Sequence, residues 1–126
     1  MSIKSEIRKL NSSSFRRSAC PVACVLDVIG DKWTFLIIRD LFRNKHRYNQ
    51  FLESGEGITT NILAERLQRL EQAGLIHKTP YQKNPVRYEY HLTDTGKSLE
   101  PVMWSIVEWA NKYIPGTYKP KRPKVA

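Results

Sequence analysis

The sequence predicts a mainly α-helical fold with one small antiparallel β-hairpin. A helical pattern with leucines on one face covers residues 58–74. Residues 75–92 then form two runs rich in β-branched and aromatic side chains, separated by a Gln-Lys-Asn-Pro turn at 82–85. Residues 94–113 return to a helical pattern with many apolar side chains. The hairpin is therefore expected to lie between two helices.

The helix at 58–74 carries recognisable start and stop signals. Thr59 can cap its first turn by accepting a hydrogen bond from a free backbone amide. Gly74 ends it, because glycine adopts the left-handed backbone conformation without steric strain. The side chains expected to face the core are Ile62, Leu63, Leu67 and Leu70.

Three shorter helices are predicted before this one. Pro21 is favoured in a first helical turn, so the first helix is expected at 21–29. A strongly apolar segment predicts a second helix at 32–42, and a third is expected at 48–52. A loop with two glycines then separates the third helix from the fourth.

Composition limits the class of protein. The 126 residues carry a formal net charge of +9 and are 40% hydrophobic, which is sufficient for one domain with a buried core. No apolar stretch approaches the length of a membrane span, and the N-terminus lacks the apolar region of a secretory signal. We therefore expect a cytoplasmic protein without a membrane partner, whose two cysteines are reduced at rest.

The positive charge is concentrated in three regions. Residues 1–19 hold five basic side chains against one acidic, and are expected to form a basic arm with a short helix at 3–10. Residues 115–126 form a basic tail with four basic side chains and no acidic one. These ends either aid solubility or contact nucleic acid. The domain between them, at 20–114, has its own basic cluster at 39–87, which coincides with the fourth helix and the hairpin.

The short third helix, the glycine loop and the longer fourth helix predict a helix-turn-helix, and the cationic hairpin predicts a wing. In such a fold the second helix contacts base edges, and the wing contacts phosphates or the minor groove. An ordinary amphipathic helix with a solvated polar edge is the alternative, but the cationic hairpin favours double-stranded DNA as the partner. The predicted DNA-binding residues are Arg47, Asn49, Thr59, Thr60, Asn61, Glu65, Gln68, Arg69, Lys78, Lys83 and Arg87.

Several separated blocks of the chain resemble the HxlR-type winged helix-turn-helix transcription regulators of bacteria. The blocks are CPVACVLDVIGDKWTFLIIRDL, RYNQFLESGEGITTNILAERLQRLEQAGLI, PVRYEYHLTDTGKSLEPV and the helix around Trp109. The resemblance covers about residues 20–109 and implies a homodimeric DNA-binding regulator with additional N- and C-terminal dimerisation helices. Two positions depart from the family: Asp31 stands where glycine is common, and Asn84 stands where a second proline is common. Both departures bear on the geometry of the wing tip rather than on the fold.

The resemblance also bears on the cysteines. In the family, a cysteine at the position of Cys20 often senses oxidants or electrophiles. Cys20 is expected at a helix N-terminus beside Arg16 and Arg17, where the helix dipole and the cations favour a thiolate. Cys24 lies one turn further on and is expected to pack inward. Because not every member senses through cysteine, a sensing role for Cys20 and its absence both stay open.

Other chemistry finds no support in the residue pattern. The two thiols lie four residues apart, and His46, His77 and His91 are scattered along the chain, so no paired metal-ligand pattern is present. No nucleophile-and-base set or glycine-rich phosphate loop is recognisable either. We therefore expect no metal, no cofactor and no enzymatic activity.

The last predicted helix carries more apolar surface than one core-facing stripe requires. Packing on the first two helices is the simpler explanation of this surface. Because Trp104 and Trp109 fall on different faces, we expect a shared dimer interface instead. The residues expected in that interface are Met103, Ile106, Trp109 and Tyr113.

The function predicted by the sequence is sequence-specific regulation of transcription by a homodimer on a near-palindromic operator. An oxidant or electrophile acting through Cys20 is the expected signal if the protein senses one. The alternative is a winged helix that binds RNA or another protein without regulatory DNA binding. Salt-dependent binding to a palindromic duplex, with no preference for RNA, distinguishes the two.

Overall fold

The structure is a computed structural model and describes residues 18–122. The predicted short helix at 3–10, together with Arg16 and Arg17, lies outside the described residues. The predicted mainly α-helical fold with one antiparallel hairpin is confirmed. In chain order the elements are α1 (Pro21–Ile29), α2 (Thr34–Phe42), α3 (Tyr48–Leu52), α4 (Thr60–Gln72), β1 (Ile76–Lys83), β2 (Val86–Leu92), α5 (Asp94–Lys97) and α6 (Glu100–Tyr113).

The helix boundaries follow the sequence signals closely except at the C-terminal end. Helices α1 and α3 have the predicted bounds, and α2 begins at Thr34, two residues later than expected. The prediction of one long helix at 94–113 is wrong, because the chain forms α5, breaks, and starts again as α6. Pro101 in the first turn of α6 lacks the amide that would continue α5. Within residues 18–122, no helix is both long and apolar enough to span a bilayer.

The core forms where α2, α3 and α4 pack together. Ile38 and Leu63 are fully buried, and Phe51 contributes the large aromatic side chain from α3. The predicted core positions at Leu63, Leu67 and Leu70 are confirmed, while Ile62 is half-buried. The core cluster consists of Val28, Ile37, Ile38, Leu41, Phe51, Ile58, Leu63, Leu67, Leu70, Ala73, Leu75 and Ile76.

Both predicted ends of α4 are confirmed by their hydrogen bonds. The Thr59 hydroxyl oxygen accepts from the Ile62 amide at 3.4 Å. Gly74 has a φ of 77°, and its amide donates to the Glu71 carbonyl at 3.0 Å. The next amide, of Leu75, reaches back to the Leu70 carbonyl at 3.1 Å, which closes the helix end and sends the chain into β1.

The loop between α1 and α2 fixes α4 through one carboxylate. Asp31 Oδ2 accepts from the backbone amides of Trp33 at 3.0 Å and Thr34 at 3.1 Å, and its other oxygen accepts from the Thr34 hydroxyl. The Arg66 Nε of α4 also donates to Oδ2, at 2.9 Å. Partial burial by itself raises the pKa of Asp31, but these hydrogen bonds outweigh it and hold that pKa far below its usual range.

The hairpin is tied to the helices at its base. β1 and β2 pair in antiparallel register from Ile76 opposite Leu92 to Lys83 opposite Val86. The Tyr90 amide of β2 donates to the His46 carbonyl before α3 at 2.8 Å. α5 packs so closely on the end of α4 that a Cβ at Gly96 would lie 2.1 Å from the Leu75 carbonyl oxygen. The glycine at this position is therefore required by close approach.

The three histidines, which look scattered in the sequence, lie together in the fold. The ring of His91 on β2 stacks on His46 with centroids 4.4 Å apart and on His77 with centroids 5.7 Å apart. Among residues 18–122, no group of His, Cys, Asp or Glu has the geometry of a metal site. The cluster instead packs the base of the hairpin against the end of the loop before α3.

The segment after α6 folds back on the helices. Asn111 Nδ2 donates to the Thr117 hydroxyl at 3.0 Å and to the Tyr118 carbonyl at 2.8 Å. The Arg43 guanidinium at the end of α2 donates to the Tyr118 hydroxyl. The described part of the predicted basic tail is therefore packed on α6 and α2.

We predict that Asp31→Ala destabilises the fold by about 2 kcal/mol, because it removes a helix cap and one of the two carboxylates that Arg66 contacts. The contribution of the Asp31 carboxylate to the free energy of unfolding should be present above about pH 4. It should be lost as the pH falls below that value, because the pKa of Asp31 is depressed in the folded state. Urea unfolding of Asp31→Ala, Arg66→Met and the double variant measures the coupling between the two side chains.

The matched control for this series is Glu56→Ala. Glu56 also pairs with an arginine, Arg39, at 2.9 Å, but its side chain is 43% exposed. We expect this control to cost less than about 0.5 kcal/mol. Additive effects of Asp31→Ala and Arg66→Met would contradict a direct interaction between the loop and α4.

We predict that the free energy of unfolding falls with decreasing pH through about 6.5, the unperturbed value for histidine, and that His91→Gln flattens this slope. Partial desolvation lowers the pKa of His91, and the nearby His46, His77 and Lys97 lower it further, against an opposite effect of Glu89. His91 therefore binds a proton more tightly in the unfolded chain than in the folded chain. Identical slopes for both proteins in urea titrations at pH 5 to 8 would contradict this.

Candidate DNA-binding interface

One edge of α4 is polar and exposed. Leu63, Leu67 and Leu70 point into the core, so with about 100° of rotation per residue the opposite side of the helix faces solvent. Asn61 lies near the N-terminus of that side, where a recognition helix contacts bases. The exposed residues of this edge, together with the cap, are Thr59, Thr60, Asn61, Ala64, Glu65, Gln68 and Gln72.

Arg69 lies outside this edge, which corrects the sequence-based expectation. Its Nη2 donates to the Asp27 carbonyl of α1 at 2.6 Å, and the side chain is partly buried. Arg66 likewise faces the loop before α2, through Asp31. The rotation per residue along the helix places positions 66 and 69 on the side of α4 that faces α1 and the loop after it. There both arginines donate hydrogen bonds to oxygens of the protein itself.

The start of α3 presents two more of the predicted residues. Gln50 Oε1 accepts from the backbone amides of His46 at 2.7 Å and Arg47 at 3.0 Å, which caps α3. The Tyr48 hydroxyl donates to the Thr60 carbonyl at 2.6 Å and so joins α3 to the first turn of α4. Arg47 and Asn49 are left exposed beside the N-terminus of α4.

The tip of the hairpin carries two exposed cations. Lys83 pairs with Val86 across the turn, which consists of Asn84 and Pro85 joined by a cis peptide bond. Lys83 and Arg87 are both exposed, and neither pairs with a carboxylate within residues 18–122. Their charge is therefore available to an external anion.

Lys78 has a different environment from the tip cations. Its Nζ lies 3.9 Å from the Glu71 carboxylate at the end of α4, and 4.6 Å from the centroid of the Tyr88 ring. These contacts place Lys78 near the base of the hairpin and partly compensate its charge. The three predicted cations of the hairpin are therefore not equivalent.

Two aromatic side chains that the sequence pattern did not single out, Tyr81 and Tyr88, lie beside these cations. The Arg47 guanidinium lies 3.8 Å from the centroid of the Tyr81 ring, and its Nε lies 3.2 Å from Glu89 Oε2. Arg47, Asn49 and Arg87 line one cleft between α3 and the hairpin, with Tyr81 and Tyr88 in its wall. Tyrosines interleaved with cations at 81–88 were the available signal, although Arg47 is distant from them in sequence.

Two apolar helix faces lie away from this cleft. On α6, Trp104 is 8% exposed and Trp109 is 60% exposed, so the two tryptophans do lie on different faces. Tyr113 accompanies Trp109 on the exposed face. Met103 is half-buried in a cavity facing α2, and Ile106, although exposed, also lines that cavity. On α1, the exposed apolar residues are Val22, Val25 and Leu26.

Cys20 directly precedes α1 and is exposed. Its carbonyl accepts from the Cys24 amide at 2.9 Å, and its own amide donates to the Ser18 hydroxyl at 3.2 Å. The Cys24 thiol is half-buried and donates to the Ser18 carbonyl at 3.4 Å. The predicted location of Cys20 at the helix N-terminus is confirmed, and the neighbouring Arg16 and Arg17 lie outside the described residues.

Comparisons with known proteins agree with this geometry. The chain is 38% identical over 104 residues to the uncharacterized HTH-type transcriptional regulator YdeP of Bacillus subtilis, with 82% of this chain and 81% of YdeP covered. It is similar to the crystal structure of PA1607, a putative transcription factor, at 38% identity and a TM-score of 0.72, covering 90% of this chain and 76% of that one. It is also similar to the redox regulator HypR in its oxidized form, at 36% identity and a TM-score of 0.67. The match covers 74% of this chain and 96% of the HypR chain.

The family assignment agrees with the element order. Residues 28–118 match the HxlR-like helix-turn-helix family, which spans all of the elements from α2 to α6. The resemblance inferred from the sequence blocks is thereby confirmed. The chain belongs to the HxlR-like helix-turn-helix family and is a winged-helix transcription regulator.

Proposed function

We propose that this regulator binds a near-palindromic operator as a homodimer and acts on the chromosome in the cytoplasm. The observation that carries the proposal is the common location of three groups of residues. The exposed start of α3 and Arg87 line one cleft, and Lys83 lies at the tip of the same hairpin. The hydrogen bond from Tyr48 to the Thr60 carbonyl joins this cleft to the polar edge of α4. A DNA duplex presents base edges in its grooves and phosphates along their rims. A surface that combines a polar helix edge with exposed cations is therefore suited to contact the bases and the phosphates at the same time.

In this proposal α4 enters the major groove. Thr60 and Asn61 lie at its N-terminal end, and their short polar side chains suit contacts with base edges. Glu65 lies one turn and Gln68 two turns further along the same edge. Glu65 can accept from a cytosine amino group, and Gln68 can both donate to and accept from adenine. The apolar residues behind this edge hold the helix rigidly, which favours sequence-specific rather than merely electrostatic contact.

The wing and Arg47 contact the sugar-phosphate backbone. Lys83 and Arg87 have no carboxylate partner among the described residues, so phosphates can neutralise them without breaking an internal ion pair. Arg47 is held against Tyr81 and Glu89, which orients its guanidinium at the mouth of the cleft. Arg47 and Lys78 each pair with a carboxylate of the protein, so both contribute less charge to the proposed contact than the two cations at the hairpin tip.

The exposed apolar faces of α1 and α6 form the proposed dimer interface. Val22 is 66% exposed and Trp109 is 60% exposed, which is unusual for such side chains in a monomer. A two-fold axis through these faces would bring a second recognition helix to the same side of the assembly. Successive major grooves lie about 34–36 Å apart, so two half-sites separated by one turn are expected.

Cys20 is the proposed sensor of oxidants or electrophiles. It is exposed, it lies at the N-terminus of α1, and α1 contributes to the proposed dimer interface. A redox regulator, HypR, is among the proteins with a similar structure. Attachment of an electrophile to the thiolate would add a bulky group at the edge of the interface and shift one recognition helix relative to the other.

We predict that Lys83→Ala weakens binding to all duplexes alike and reduces the slope of log affinity against log salt by about one phosphate contact. Asn61→Ala should instead change the preferred sequence, at a cost of about 1–3 kcal/mol for the original site. Selection from a random duplex pool supplies the operator, and fluorescence anisotropy at several salt concentrations measures both effects.

The control for the wing variant is Lys97→Ala, since Lys97 lies on α5, outside the wing and the recognition helix. An unchanged salt slope after Lys83→Ala would remove the wing from the interface. Equal affinity for a matched RNA duplex and the selected DNA would favour the alternative of an RNA-binding winged helix.

We predict that Trp109→Glu converts the dimer into a monomer that binds the operator poorly, because a carboxylate replaces a large apolar contact. Sedimentation velocity at micromolar concentration measures the mass. Val86→Glu introduces the same charge at an exposed apolar position of the wing and should remain dimeric. A wild-type protein that sediments as a monomer would overturn the proposed interface.

We predict that benzoquinone modifies Cys20 before Cys24, because Cys20 is exposed and Cys24 is half-buried and hydrogen-bonded. The thiolate sulfur adds to a ring carbon, and the ring takes up a proton to give the thioether. Cys20→Ser should keep operator affinity but lose the response to the quinone, and Cys24→Ser should keep both. Mass spectrometry with anisotropy measures the two effects. An operator affinity indifferent to quinone in the wild type would exclude the sensor.

A further inference from the structure

An apolar cavity of about 550 Å³ lies between α2 and α6. Phe35 and Phe42 of α2 face Met103, Trp104 and Val107 of α6 across it. Residues 116–121 cover a third side. The volume falls within the range of about 300–1,000 Å³ that is usual for small-molecule sites. None of the proposed DNA-binding residues, nor Cys20, lines this cavity, so it is separate from those two sites. Met103 and Ile106, which were expected in the dimer interface, do line it.

The charged residues of the lining favour an anion. Lys32, Arg39, Arg43 and Lys121 line the cavity with a single acidic residue, Glu100. Arg39 is neutralised by Asp40 at 3.0 Å and Glu56 at 2.9 Å. The other three cations have no carboxylate partner within residues 18–122.

Arg43 is the cation best placed to bind a ligand. Within residues 18–122 its side-chain partner is the neutral Tyr118: the guanidinium donates to the hydroxyl and lies 5.9 Å from the ring centroid. A carboxylate is a stronger acceptor than a phenol, so an anion in the cavity can compete for this arginine. Tyr118 is 64% exposed and can move away at small cost.

The covering segment gives a route of entry. It is held by the Asn111 amide, which donates to the Thr117 hydroxyl and the Tyr118 carbonyl, and by the contact with Arg43. These contacts are exposed hydrogen bonds rather than buried apolar packing, so local opening costs much less than unfolding. A small molecule can therefore reach the cavity without disrupting the core.

Trp104 adds a polar group to the apolar wall. It is 8% exposed, and its indole N–H has no acceptor within the described part of the chain. Buried donors of this kind are uncommon in folded proteins and often mark a missing partner. The N–H is inaccessible to a ligand oxygen in this structure, so it serves as a reporter of changes in the cavity wall rather than as a contact.

We propose that the cavity binds a small aromatic carboxylate, with its ring among the apolar side chains and its anionic group at Arg43. The ligand would contact both α2, which belongs to the core behind the recognition helix, and α6, which carries the exposed face of Trp109. A ligand bound in the cavity would therefore couple the position of α6 to that of α2 and, through the core, to the proposed recognition helix α4. The binding site itself does not depend on the proposed DNA contacts and can be tested without DNA.

The test uses 2-naphthoate, titrated into the ¹⁵N-labelled full chain and followed by NMR. We expect saturable shifts of the Trp104 indole N–H and the Asn111 side-chain amide, with a Kd on the order of 1 mM or tighter for a ligand of this size. The Trp109 indole, on the outer face of α6, should shift little. The neutral analogue 2-naphthalenemethanol should bind at least about tenfold more weakly, because it cannot form the charge-assisted hydrogen bonds.

Three variants make the test specific. Arg43→Gln should weaken 2-naphthoate about tenfold and should remove the preference over the neutral analogue. Val107→Phe should reduce binding by filling the cavity, and Lys97→Gln, at a cation outside the lining, should leave it unchanged. If Val107→Phe fails to fold, Arg43→Gln and the neutral analogue still decide the question.

Three results would overturn the proposal. Equal affinity for 2-naphthoate and its neutral analogue would exclude recognition of the anion. Shifts confined to the Trp109 indole would indicate binding to the outer face of α6 rather than the cavity. Absence of saturable binding would exclude the ligand site.

Discussion

The orientation of the recognition helix depends on the carboxylate of Asp31. It caps α2 through two backbone amides and accepts from Arg66 of α4, so one side chain joins α2 to the proposed recognition helix. A glycine at this position, which the resemblance to the family led us to expect, has no side chain to make these bonds. A residue that looked like a mild departure in the sequence is therefore the point at which α4 is positioned in this chain.

The basic residues divide into those that hold the fold and those available to a ligand. Arg39, Arg66 and Arg69 bind carboxylates or carbonyls of the protein itself. Lys83 and Arg87 have no such partner among the described residues. The distinction matters because a cation released from an internal ion pair gains little on binding a phosphate, whereas an unpaired one gains the whole interaction. Net charge alone does not identify the DNA-facing surface.

Helix α6 presents different chemistry on its successive faces. Trp104 and Met103 face the cavity toward α2, while Trp109 and Tyr113 form the exposed apolar face. A rigid helix transmits a displacement on one face to the other, because its backbone hydrogen bonds resist bending. The proposed ligand site and the proposed dimer interface would then influence each other through α6, while the Cys20 site would act on the same interface from α1.

The sequence by itself determined the elements whose signals are local. The cap at Thr59, the stop at Gly74, the leucine face of α4 and the hairpin turn all follow from residues within a few positions of one another. The family was recognisable for the same reason. Only the tertiary structure decided that Asp31 meets Arg66, that Arg69 turns toward Asp27, and that three separated histidines stack. These contacts join residues 14 to 45 positions apart, and periodicity carries no information on which long-range partner a polar side chain meets.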